Sequence, residues 1–560
     1  MLRKLLPLGA ICVLAAAPGT ARAQADTLSY RFHLEPGPDH GVQVAVDVDF
    51  RGGRTGRTRI VTPTTWAGQD SLWKAIVDFR AGPGVVVGPD VNGERILQHL
   101  PRARVHLHYV LRQDWTGPLR YPLNHRVIID SSRIVFNQTT ALVYPELTAN
   151  VPLVLQVQWS GLPPSWRILT SFGSKAWFSG PVSWREFAGA SFAAGDFRLV
   201  GTTGGAAPLT IEAQGQWRFT DPAFAQLVGA LWRAESRFWG GPAFDHAFVL
   251  LLPSATSGAV AGTAFTAGFV AASDSTADLT DLGRLLAHEL FHLWNGQRMA
   301  ATEVEARYKW FTEGFTDYYA DRFFHQLGQY SDSTYRARVN AVLRSYYASP
   351  ARGSTLADVA ARYYADPAMR QYPYAQGYAF ALFLQPNLTR WSGATFDLDS
   401  LMVRAYRAGR GHSLELTDAL LLAVTPAAAR GALHDAIDRY IVRGMMVPGD
   451  SASLGLCNLL RTVAVYDFDL GFDAATSMRL RVVNGVRPGG PAALAGVANG
   501  MKLLGWSWDG DRPAQSVVLQ VQDARGPRQI VYAAHDNTVH LTPQFFADPS
   551  LACGGAGFGR

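Results

Sequence analysis

From Leu285 to Asn295 the chain reads Leu-Leu-Ala-His-Glu-Leu-Phe-His-Leu-Trp-Asn, and no other stretch restricts the fold as much. His288 and His292 are four residues apart. On a helix that spacing stacks two imidazoles one turn apart on one face, where they can share an ion. Glu289 falls about 100° further round, beside the ion, where a base acting on metal-polarised water belongs. A catalytic zinc site needs a third protein ligand and one open position. Glu313 lies 21 residues after His292, in Trp310-Phe311-Thr312-Glu313-Gly314-Phe315-Thr316-Asp317-Tyr318-Tyr319. That interval allows a helix end, a loop and a second helix. Asp317, one turn beyond Glu313, is the natural carboxylate to accept the other N–H of a ligating histidine.

Such a site hydrolyses peptide or related bonds only if something besides the metal steadies the oxyanion. Tyr372-Pro373-Tyr374-Ala375-Gln376-Gly377-Tyr378 heads an apolar helix read over 374–385 and brings phenols into range. Composition and spacing do not single out one of the chain's 20 tyrosines.

Around this centre the pattern changes twice. Valines at alternate positions of Val42–Val48 predict a half-buried strand, as do Val105–Leu111 and Val151–Trp159, so the chain from Thr27 to about Val200 reads as an all-β sandwich. After Gly204-Gly205 helices are expected to about Arg443: Asp221–Trp239 with Phe224, Leu227, Leu231 and Phe238 on one face, then 281–297, 312–327, 334–347 and 374–385. Pro448-Gly449-Asp450-Ser451 reads as a linker, and strands are expected beyond it, including Met478–Val483.

Arg3 and Lys4, an apolar run from Leu5 to Ala17 and Ala21-Arg22-Ala23 read as a secretory signal peptide, which implies a periplasmic or secreted protein. Loss of that leader removes three of the six net positive charges, which leaves too little to favour nucleic acid. The most apolar later region, His246 to Ala272, is broken by Pro253 and by Ser, Thr and Gly, so no membrane insertion is expected. With 48% hydrophobic and 17% charged residues the chain is not disordered. Cys12 goes with the leader, and Cys457 and Cys553 remain, either paired or as buried thiols.

The run from His288 to Asn295, followed by the Trp310–Tyr319 segment, resembles the glycyl aminopeptidase family of gluzincin metallopeptidases; Leu293-Trp294-Asn295 is the more specific part of the match. The resemblance implies a multidomain α+β chain: signal peptide 1–23, an N-terminal β-sandwich-like domain over 24–212, a thermolysin-like, mainly helical catalytic domain over 213–447, and a PDZ-like domain over 448–545. It implies zinc on His288, His292 and Glu313, with Glu289 as general base. It also implies Tyr374 as the oxyanion donor, because related gluzincins carry theirs in a Pro-Tyr-x-x-Gly context; Tyr372 stands in reserve. Asp469-Leu470-Gly471-Phe472 and the Gly490–Val497 run look like a PDZ domain, with the N–H groups of Leu470, Gly471 and Phe472 placed to capture a peptide C-terminus.

One departure bears on specificity. Members of the family carry a Gly-Gly-x-Glu-His stretch before the metal helix, and aminopeptidases need an acid there for the substrate's α-ammonium. Here the region reads Ala261-Gly262-Thr263-Ala264-Phe265-Thr266-Ala267-Gly268, and no Glu occurs between Glu235 and Glu289. The expected activity is zinc-dependent hydrolysis of peptide or protein substrates, either aminopeptidase-like or as an endopeptidase or exopeptidase of another preference. The rival from a different class is a catalytically idle scaffold that binds protein C-termini through its PDZ-like domain.

Overall fold

The computed structural model describes residues 26–91, 93–146, 153–204, 207–300, 305–408, 414–507 and 516–551. The leader, Cys12 and Cys553 lie outside the described residues. Alternation sets the first layer: in the strand Val42–Arg51, Val44, Val46 and Val48 are fully buried while Gln43 and Asp47 stay partly open. A six-stranded sheet runs in the order Trp177–Val182, Leu153–Ser160, Asp26–Pro36, Val42–Arg51, Arg104–Leu111, Ile76–Ala81. A four-stranded sheet runs Arg167–Thr170, Ser191–Gly195, Arg133–Asn137, Ile128–Asp130. The two share one core, where Phe32 meets Phe136 and Phe192 with ring centroids 5.3 and 5.6 Å apart.

The sequence reading misses a further, five-stranded sheet. Arg198–Thr202, Leu209–Ala213, Ala247–Ser254, Gly268–Asp274 and Val260–Phe265 lie side by side in that order, so four strands occupy part of the region after Gly204-Gly205 expected to be helical. Leu209–Ala213 pairs in parallel with Ala247–Ser254, and the sheet therefore spans the 212/213 boundary expected from sequence. Its central strand reads as a continuous apolar run because both faces are covered. Phe248, Leu250 and Leu252 pack with Ile128, Val135 and Ala193 of the β layers, while Val249 and Leu251 pack into the helical core. The apolar stretch from 246 to 272 is thus the seam between two cores, and among the described residues no helix is long and apolar enough to cross a membrane.

Behind this sheet the helix Asp221–Trp239 forms as its periodicity predicts, capped by the Thr220 hydroxyl, which accepts from the N–H of Ala223. The helix Leu279–Phe291 carries the metal motif and is capped by Asp278. It stops short of 297 because the N–H groups of Leu293 and Trp294 bond to the carbonyls of Leu290 and Phe291, which tightens its last turn. A π-helical turn, Trp310–Phe315, leads into the helix Thr316–Gln326. The helix Pro367–Trp391 crosses that turn glycine against glycine. A Cβ on Gly377 would sit 1.8 Å from the Trp310 carbonyl oxygen, and one on Gly314 2.5 Å from the Gly377 Cα.

The C-terminal third departs from the expectation. The 448–451 segment is tied down: Asp450 accepts from Asn387 Nδ2 at 3.2 Å and pairs with Arg390. The antiparallel ribbon Asn458–Phe468 with His535–Ala547 docks on the helix Asp332–Tyr347, where Asn340 exchanges two hydrogen bonds of 2.7 and 2.8 Å with the Phe545 backbone. Lys502–Ser507, Ser516–Asp523 and Gly526–Ala533 form a small sheet with its own core. Met478–Val483 is not a strand. Residues Ala474–Leu480 are helical, started by the Asp473 carboxylate accepting from the Thr476 N–H. The loop Leu470, Gly471 and Phe472 is therefore not followed by a strand edge, and the Gly471 N–H already donates to Asp469 Oδ1 at 2.8 Å. The expected strand over Met478–Val483 is thus replaced by a helix, and the three loop residues stand next to it.

The glycine crossing yields a prediction. Gly377→Ala should lower stability by about 3 kcal/mol, the top of the overpacking range. Gly431→Ala, on the helix Ala427–Ile437 with open space at its Cβ, should be neutral or stabilising by up to about 1 kcal/mol. Thermal unfolding of the two variants checks this; equal midpoints would contradict the crossing.

Candidate active site

The metal helix presents His288 and His292 to Glu313, which arrives on the π-helical turn. His288 Nε2 and His292 Nε2 are 2.9 Å apart, and Glu313 Oε2 lies 3.1 Å from the second and 3.4 Å from the first. The three donor atoms lie within 4.8 Å of one another. Each imidazole is held from behind. His288 Nδ1 is 2.9 Å from Asp317 Oδ1, and His292 Nδ1 is 2.9 Å from the Asn295 carbonyl oxygen. Both Nε2 atoms are thereby turned inward, as in metal sites whose ligands are oriented by a hydrogen bond at the other nitrogen.

The electrostatics fit a cation. Burial works against charge on His288, yet the carboxylates of Asp317, Glu313 and Glu289 outweigh it and push its pKa up to about 10. For Glu313, burial is outweighed by Lys309 and the two histidines, which hold its pKa well below the usual range. Lys309 Nζ is 2.9 Å from Glu313 Oε1, so Oε2 alone faces the histidines. Two imidazole nitrogens and one carboxylate oxygen are a donor set that suits zinc with an open position.

Glu289 is buried beside the cluster. Burial raises its pKa, against the pull of His288 and His292, and the N–H of Ala264 bonds to it from the edge strand Val260–Phe265. Gly262 on that strand makes the approach possible, since a Cβ there would meet the Glu289 side chain at 2.7 Å. Tyr374 lines the same cleft and shares a hydrogen bond with Tyr363. Burial, and then the nearby Glu313 carboxylate, raise its pKa well above the ordinary value, so it stays a hydrogen-bond donor. Tyr372 is buried against Tyr346 and does not line the cleft.

The structure thus gathers His288, Glu289, His292, Glu313, Asp317 and Tyr374, while Leu470, Gly471 and Phe472 belong to a separate small core. It adds residues the sequence reading passed over. Arg284 bonds Asp317 and Asp321, each at 2.8 Å. Asn295 is fully buried, and its amide bonds the Phe311 carbonyl and the Thr316 hydroxyl, tying the two ligand-bearing segments together. Its place three residues after the second histidine, in the Leu293-Trp294-Asn295 run, was the available signal. Glu235 is fully buried with neither carboxylate oxygen hydrogen-bonded, and burial raises its pKa well above the ordinary value. Trp66, Tyr121 and His125 reach the cleft from the N-terminal β region, a link no local pattern could announce.

The comparisons with known proteins meet this geometry. Residues 281–372, which hold every candidate metal ligand, match the family model of the M61 glycyl aminopeptidases. Over that segment the chain is similar to the M61 peptidases. Among solved structures, an aminopeptidase N family protein from Idiomarina loihiensis is similar over 93% of this chain and 98% of its own, with a TM-score of 0.66 and 14% identity. At that identity the likeness is one of fold. An M1 zinc metallopeptidase from Deinococcus radiodurans is similar over 76% of this chain and 94% of its own, with a TM-score of 0.49 and 16% identity. No curated protein matches the sequence.

Glu313→Ala should abolish tight metal binding, while Asp317→Asn, which keeps all three donors, should weaken it about 10–100-fold. Competition with a chromophoric chelator measures both. Unchanged affinity in Glu313→Ala would remove it from the ligand set.

Proposed function

We propose that zinc occupies the site formed by His288, His292 and Glu313, and that the enzyme hydrolyses peptide bonds outside the cytoplasm with little dependence on a free substrate amino terminus. The juxtaposition of the three donors with a buried base and a phenol in one cleft carries this reading. Bound zinc supplies Lewis acidity and a water of lowered pKa. Glu289 accepts the proton of the attacking water and returns it to the leaving nitrogen; a buried carboxylate with a raised pKa suits both halves of that transfer. Tyr374 donates to the oxygen that gains charge. Asp317 and the Asn295 carbonyl keep the imidazoles aimed. Export rests on the leader-like first 23 residues.

The end preference follows from what faces the substrate. An ammonium taken into a largely desolvated cleft needs a carboxylate partner. Among the described residues lining the cleft, the acids are Glu289 and Glu313. Asp278 caps the far end of the metal helix, and Asp274 accepts from the N–H groups of Gly258 and Thr276; neither lines the cleft. Phe265 stands on the edge strand with its ring stacked on Trp66, centroids 6.1 Å apart. Acetylating the α-amine of a good substrate should therefore change kcat/KM by less than about tenfold, or ~1.4 kcal/mol. Abolished cleavage would restore a strict aminopeptidase.

Glu289→Gln should keep its zinc and lose about 10²–10⁴-fold in rate. Tyr374→Phe should lower kcat more than it alters KM, because the hydroxyl acts on the oxyanion. Peptide-library cleavage followed by mass spectrometry, with and without chelator, reads both. Near-normal turnover by Glu289→Gln would falsify its role.

A further inference from the structure

The cleft offers about 690 Å³, and among the described residues its unspent charge is positive. The acids among the described lining residues are Glu289 and Glu313, already engaged in proton transfer and metal binding. Its lining cations, besides histidines, are Lys309 and Arg370. Lys309 is engaged with Glu313. Arg370 is exposed, and among the described residues its guanidinium has no hydrogen-bond or ion-pair partner. It stands four residues before Tyr374 on the helix Pro367–Trp391, so the guanidinium and the phenol rise from one helix face, one turn apart. An unpaired guanidinium is a planar fork of five donors that matches a carboxylate bidentately.

We propose that Arg370 binds a carboxylate of the peptide substrate, so that the enzyme selects peptides carrying negative charge close to the scissile bond. This deepens the peptidase reading and rests on it. The carboxylate comes either from the C-terminus of a short peptide or from an Asp or Glu side chain, and the guanidinium takes both in the same way. Arg370 acts on binding and orientation and takes no part in proton transfer. Among the described residues, the same cleft thus presents no free acid for an ammonium and one free cation for its opposite.

Four peptides sharing one scissile sequence test this: neutral and amidated, neutral with a free C-terminus, amidated with Glu near the scissile bond, and amidated with Lys there. Steady-state kinetics with the zinc-loaded enzyme, and dissociation constants with the Glu289→Gln protein, are measured for each. A peptide with a carboxylate should exceed the neutral amide by about tenfold in kcat/KM, with a matching gain in binding. The free C-terminus or the Glu peptide wins according to the source. Arg370→Glu should transfer the advantage to the Lys peptide, with zinc content and unfolding temperature unchanged, and Arg370→Lys should retain part of the original order. Chelator-sensitive cleavage of all four at equal rates, or a carboxylate preference that survives Arg370→Glu, would overturn the proposal and leave the peptidase reading standing. No cleavage and no binding of any of the four would end both.

Discussion

Buried negative charge is the constraint that orders this molecule. Glu289, Glu313, Asp317 and Asp321 are packed among the Leu279–Phe291, Trp310–Phe315 and Thr316–Gln326 segments, largely out of water. An unpaired buried charge costs about 3–5 kcal/mol, so each carboxylate has an assigned answer. Arg284 bridges Asp317 and Asp321, and Lys309 takes one oxygen of Glu313. The second oxygen and two inward imidazole nitrogens call for a cation. Burial raises the pKa of both Glu289 and Glu235. Catalytic competence and folding are thus coupled through one charge balance: the groups that aim the ligands are also those that make their burial tolerable.

Two close backbone approaches deliver the remaining parts. Gly314 against Gly377 lets the Pro367–Trp391 helix settle on the turn that bears Glu313, which brings Tyr374 and Arg370 to the cleft. Gly262 lets the edge strand lie on Glu289. The other side of the cleft is closed by Trp66, Tyr121 and His125 from the β layers, so its lining is shared between regions more than a hundred residues apart in sequence. The seam strand Ala247–Ser254, apolar on both faces, holds those regions together.

Much of the catalytic centre was legible because its signals are local. Helical spacing stacks His288 on His292, and one further turn places Asp317 near Glu313. Strand alternation in Val42–Arg51 was equally plain, since one face is buried and the other partly wet. The mixed sheet over 198–274 was not legible: a strand covered on both faces loses its alternation, and periodicity then cannot separate it from buried helix. The segment after Phe472 went wrong for a different reason. Met478–Val483 alternates weakly, but Asp473 caps a turn before it and Ala474 and Ala475 favour helix, so a local start signal prevails. Arg284 and the cleft wall act through tertiary contacts to which no spacing rule points, whereas Lys309 precedes Glu313 by four residues, a helical spacing open to reading.

The central claim is that this charge balance is completed by one zinc ion on two imidazole nitrogens and one carboxylate oxygen. X-ray absorption spectroscopy at the zinc edge on the purified full-length protein, combined with metal analysis, tests it directly. The account predicts one zinc per chain, with two nitrogen donors of histidine character and the remaining donors oxygen. A folded, peptide-cleaving protein without stoichiometric metal, or a zinc shell containing sulfur, would contradict it.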